Sequence, residues 1–95
     1  MSARLPGKDV IACAVIEAVA AAGGRTVDPT AVARRLAGPD EKAWSRLMPW
    51  IRQVAVALAR EGRIAIYRKG RPVDAAAFKG VYRLGPPADQ ATGSG

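Results

Sequence analysis

From Ile51 onward apolar side chains recur at helical spacing: Ile51, Val54, Ala55 and Leu58 fall at i, i+3, i+4 and i+7. That stripe predicts an amphipathic helix with one face on a core. On a 100° wheel the opposite side carries Gln53, Val56 and Arg60, with Arg52 on its flank. Pro49 lacks an N–H and clashes one turn back, so the helix is expected to open there after a break near Met48. Gly62 ends it. A helix running straight through the proline would align Arg46 with Gln53 and Arg60, but Pro49 argues against that version.

Upstream, Val/Ile at positions 10, 11, 15 and 19 predict a buried first helix from about Lys8 to Ala22, closed by Gly23-Gly24. Asp9 falls in its first turn, where a carboxylate complements the helix dipole. Cys13 lies among its apolar residues and reads as a buried structural thiol, since the chain has no His to activate it. Thr26 and Val27 suit a short extended piece. Asp28 as N-cap and Pro29 at the next position start a second helix, PTAVARRLA. Ala31 (or Val32), Ala33 and Leu36 are expected inward and Arg34-Arg35 outward. Gly38-Pro39 stops it, and Asp40 caps a short helical turn to Leu47. Trp44 and Trp50 are read as helix-packing aromatics, with Trp50 on the flank of its helix and partly exposed.

Beyond Gly62, Arg63–Arg68 is β-rich at its centre, and Lys69-Gly70-Arg71-Pro72 reads as a turn. Val73-Asp74 predicts a brief strand, Ala75–Ala77 a helical turn, and Val81–Leu84 a closing strand paired with 64–67. From Gly85 the sequence GPPADQATGSG offers nothing apolar to bury and is expected to be disordered. The organisation is thus a lead-in over 1–7, one domain over 8–85 and a tail over 86–95. At 95 residues there is room for only one core. The fold class that follows is α+β: a winged helix-turn-helix of three main helices and a short two- or three-stranded antiparallel wing.

Charge sharpens this picture because it is unevenly placed. Residues 1–41 hold five Lys/Arg and five Asp/Glu. Residues 42–83 hold ten Lys/Arg against Glu61 and Asp74, a net of +8, and the rest of the chain contributes only Asp89. The excess sits on the half that carries the candidate recognition helix and wing, which points to a polyanionic partner. Arg4 and Lys8 before VIACAVIEAVAAAG superficially suggest a signal peptide, but Asp9 and Glu17 interrupt the apolar run, which is too short for a bilayer. The expectation is a soluble, cytoplasmic chain. One Cys permits no internal disulfide, and without His no ordinary zinc site can be assembled.

The pieces PTAVARRLA, WSRLMPWIRQVAVALAREGRIAI, KGRPVD and the closing Arg83-Leu84 together resemble the bacterial domain-of-unknown-function family 3253. The similarity extends from the first helix to Leu84. Its most specific part is Trp44-x-Arg46-Leu47-Met48-Pro49-x-x-Arg52, followed by Glu61-Gly62-Arg63 and Lys69-Gly70. The resemblance implies a small winged helix-turn-helix domain and carries no reaction, ligand or target. Asp28 stands where that family commonly has Cys, and Gly80-Val81 where it commonly has Gly-Pro; both changes fall in turns.

No paired carboxylates, no nucleophile with its base and no glycine-rich phosphate loop can be assembled, so neither catalysis nor a cofactor is expected. For duplex DNA the candidate contacts are Arg46, Arg52, Gln53 and Arg60 from the main helix and the stretch before it. In a major groove Gln can read adenine and Arg guanine edges. Arg68, Lys69, Arg71 and Lys79 on the wing would meet phosphates or the minor groove. The resulting expectation is a DNA-binding, transcription-regulator-like module. The alternative is a protein-interaction adaptor that docks a partner on Val56, Trp50 and the wing.

Overall fold

The computed structural model describes residues 7–87. Four helices precede a three-stranded antiparallel sheet: α1 (Lys8–Ala21), α2 (Pro29–Ala37), α3 (Glu41–Ser45), α4 (Met48–Arg60), β1 (Ala65–Arg68), β2 (Arg71–Val73) and β3 (Arg83–Gly85). Their order and packing are those of a winged helix. Among the described residues no helix is long and apolar enough to cross a membrane.

Local chemistry sets most of the boundaries. The Asp28 carboxylate accepts from the Thr30 backbone N–H at 2.9 Å, and Pro29 supplies the first helical φ of α2. Asp40 caps α3 in the same way through the Lys42 N–H, at 3.4 Å. Between α3 and α4 the backbone stays helical, yet the Leu47 N–H turns to the Trp44 carbonyl, an i to i+3 bond at 3.0 Å. This tightening is what Pro49 requires, because it has no N–H to offer the preceding turn. α4 therefore opens at Met48, one residue before the proline, and Arg46 does not share a continuous helix with Gln53 and Arg60. At its far end Gly62 takes a φ of 79°, and the Gly62 and Arg63 N–H groups return to the carbonyls of Ala59 and Leu58. That is a Schellman closure.

The sheet order is β2-β1-β3, with Ile66 opposite both Val73 and Leu84. Val27 adds a one-residue bridge on the outer side of β3, exchanging backbone bonds of 2.6 and 2.8 Å with Leu84. The extended piece expected at Thr26-Val27 is thus the link between α1, α2 and the sheet. The core is Ile11 and Val15 of α1, Val32 of α2, Leu47, Ile51 of α4, Ile66 and Leu84, each fully enclosed. Burying side chains of this size is worth about 1.5–3 kcal/mol apiece.

Several expectations are corrected. Cys13 is exposed, not buried: the face of α1 in contact with its neighbours carries Ile11, Ala14, Val15 and Val19, and position 13 points away from it. In α2 the inward pair is Val32 and Ala33, while Ala31 is exposed. Val56 is half-buried against the core and does not stand on an open outer face. The closing strand begins at Arg83, two residues later than the pattern suggests, and Val81 is 84% exposed. Residues 75–77 form a turn, anchored by the Ala76 N–H on the Asp74 carboxylate at 2.9 Å. Order also continues past Gly85, because the Tyr67 hydroxyl donates to the Pro86 carbonyl at 2.8 Å and both Pro86 and Pro87 are half-buried. Residues 1–6 of the lead-in and 88–95 of the tail lie outside the described residues.

Candidate nucleic-acid interface

The geometry of the wing tip follows directly from two residues. β1 and β2 pair with Arg68 opposite Arg71, leaving Lys69 and Gly70 as a two-residue loop; Arg71 and Pro72, expected in the turn, belong to β2, which ends at Val73 and not Asp74. Lys69 and Gly70 both have positive φ, 54° and 81°. This is the dihedral pair of a type I′ turn, whose twist matches the strands it joins. Glycine takes such a backbone freely, whereas a lysine is strained there. Lys69, Gly70 and Arg71 are all exposed, and Pro72 blunts the outer edge of β2.

The longer β2–β3 connection folds back on the domain. Phe78 and Tyr82 enter the core with ring centroids 5.1 Å apart. Arg52 of α4 lies 4.2 Å above the Phe78 ring and donates to the Phe78 carbonyl at 3.3 Å. Arg68 of β1 donates through Nε to the Val81 carbonyl at 2.9 Å. Arg83 is likewise engaged, bonding the Thr26 hydroxyl at 2.7 Å and its carbonyl at 3.3 Å. Burial pushes the Tyr82 hydroxyl above its ordinary pKa of 10.0, with nearby Arg52 opposing and Asp28 reinforcing the rise. That hydroxyl has no hydrogen-bond partner among the described residues.

The candidate contacts therefore divide by what they already touch. Arg46, Arg60, Lys69, Arg71 and Lys79 are exposed, and their side chains form no hydrogen bond or ion pair with other described residues. Arg52 and Arg68 hold the wing connection. Gln53 is exposed on the side of α4 that borders α1, in a shallow groove also lined by Lys8, Asp9 and Glu61. Lys8 and Arg63 balance these two carboxylates, so the groove carries no excess positive charge for a phosphate backbone. Trp44 is half-buried against the core with the Arg34 guanidinium 5.2 Å from its ring, which is the packing role its position suggested. Trp50 is 39% exposed.

Sequence reasoning missed the contact between Arg52 and Phe78. A signal was there: Phe78 is the chain's only Phe, in a stretch otherwise fit for solvent, and such a ring needs cover. No curated protein matches the chain. A family model described as "Protein of unknown function (DUF3253)" matches residues 8–87. That span takes in every element from α1 to β3, and the chain belongs to this family.

Proposed function

We propose that this chain is a duplex-DNA-binding winged-helix module whose contact surface is led by the wing tip. The observation that carries the reading is Lys69 at a left-handed φ of 54° in an exposed turn between Arg68 and Arg71. Asn or Gly would relieve the backbone there, so the lysine occupies this position at the cost of a local strain. A cation at the tip of a hairpin is well placed to reach a phosphate or a minor groove. Arg60, in the last turn of α4, and Arg46, ahead of its first, add charge from the neighbouring helix.

The adaptor alternative would dock a partner on Val56, Trp50 and the wing; Val56 is half-buried against the core, which narrows that apolar surface to Trp50 and its surroundings. Trp50, Val81 and Val10, the last expected on the buried side of α1, are the large apolar side chains exposed among the described residues. Apolar residues exposed singly are ordinary on a soluble surface.

Backbone amide mapping of the labelled protein with a mixed-sequence duplex at low salt tests the proposal. Shifts should concentrate at residues 69–71, 60 and 79 and spare the Cys13–Glu17 side of α1. Shifts confined to the Trp50 region, or none at all, would count against a DNA surface.

A further inference from the structure

We infer that Arg52 and Arg68 form a two-point clamp that presents Lys79 as a second DNA contact beside the wing tip. This rests on the DNA reading above and assigns those two arginines a positioning role within it. The clamp is visible in the chain's own contacts. One guanidinium comes from α4 and grips the Phe78 carbonyl at 3.3 Å while covering its ring at 4.2 Å. The other comes from the end of β1 and grips the Val81 carbonyl at 2.9 Å. Lys79 and Gly80 lie between the two gripped carbonyls and are exposed. Gly80 has a φ of 82°, and a Cβ there would stand 3.1 Å from the terminal nitrogen of Arg68, so the turn is fitted closely to the arginine.

Two features tie this loop to the wing tip. Arg68 directly precedes Lys69, so the residue that holds Val81 is also the first stem residue of the tip. The buried rings of Phe78 and Tyr82 fix the loop's other side to the core. Lys69, Arg71 and Lys79 therefore ride on one unit, so only their side chains, and not the backbone that carries them, have to be ordered when they meet a polyanion. An arginine already stacked and hydrogen-bonded must break those contacts before it can reach a phosphate. A free lysine has nothing to break.

Trypsin cleavage after Lys79, scored against cleavage after Arg34 in α2 within the same digest, reads the clamp without DNA. Arg52→Ala and Arg68→Ala should each speed it about tenfold through local opening. Arg52→Lys keeps the charge but lacks the planar fork, and should speed it comparably. A duplex titration at stepped salt reads the contact: Lys79→Ala should flatten the log–log slope by about 0.9, and Arg52→Lys should weaken binding with the slope kept. Unchanged cleavage in the Arg52→Lys and Arg68→Ala proteins would overturn the clamp. A slope unmoved by Lys79→Ala, with wild-type binding intact, would overturn the contact and leave the DNA reading standing. A wild-type chain that binds no duplex at low salt would overturn the DNA reading and the contact together, and the cleavage result would still decide the clamp.

Discussion

Lys69 is the residue at which stability and proposed function pull apart. Replacing it with Asn, which accepts the left-handed backbone, should stabilise the fold by about 0.5–1 kcal/mol while removing one cation from the tip. Urea denaturation beside a DNA titration checks both halves; the account expects a more stable protein that binds less tightly. Tyr82 offers a second residue-scale test. Its buried hydroxyl has no partner among the described residues, so Tyr82→Phe should be neutral or stabilising by up to about 1 kcal/mol. The folded-state pKa lies above 10.0, so the fold favours the protonated phenol. That contribution is whole below pH 10 and is lost as the pH climbs from there through the folded-state value. The advantage of Tyr82→Phe over the wild type should therefore widen above pH 10, read by thermal melts at pH 8 and pH 10.5. At this scale the sequence was least legible. Cys13 and Ala31 occupy the same kind of apolar run as their buried neighbours, and only the angle at which α1 and α2 meet the rest decides which turn outward.

Elements were far easier to read, because caps and breakers act locally. Asp28-Pro29, Asp40, Gly62 and the Lys69-Gly70 turn each place a boundary through a bond or dihedral that neighbouring residues alone determine. The reading was weakest in the β2–β3 connection, where Phe78 and Tyr82 are held by tertiary contacts with α4 and the sheet. It also fell short at the end of β3. Gly85 is extended, and a Cβ there would lie 2.6 Å from the Tyr67 ring. Gly85→Ala should thus cost about 1–3 kcal/mol through forced movement of that ring, measurable as a lowered denaturation midpoint. Composition could not foretell this, since it depends on Tyr67 crossing β3 to reach the Pro86 carbonyl.

For the whole molecule, the charge asymmetry visible along the chain becomes a division of labour in space. α1 and α2 provide core surface and a weak exposed pair, Glu17 with Arg35 at 4.0 Å. Arg46 ahead of α4, Arg60 at its end and Lys69, Arg71 and Lys79 on the wing form the largest group of cations without a side-chain partner among the described residues, while Lys8, Arg25 and Lys42 lie singly elsewhere. The candidate site was legible as a set of residue types in one half of the chain. Which of them are free was not, because Arg52 and Arg68 differ from Lys69 and Arg71 only in having a carbonyl within reach. The most direct test of the central claim is a fluorescence-anisotropy titration with mixed-sequence duplex DNA across several salt concentrations. If Arg46, Arg60, Lys69, Arg71 and Lys79 each neutralise a phosphate, the log–log slope should be about −4.5, and the double change Lys69→Ala, Arg71→Ala should reduce it by about 1.8. Absence of binding at low salt, or a slope indifferent to those two residues, would contradict a DNA surface led by the wing.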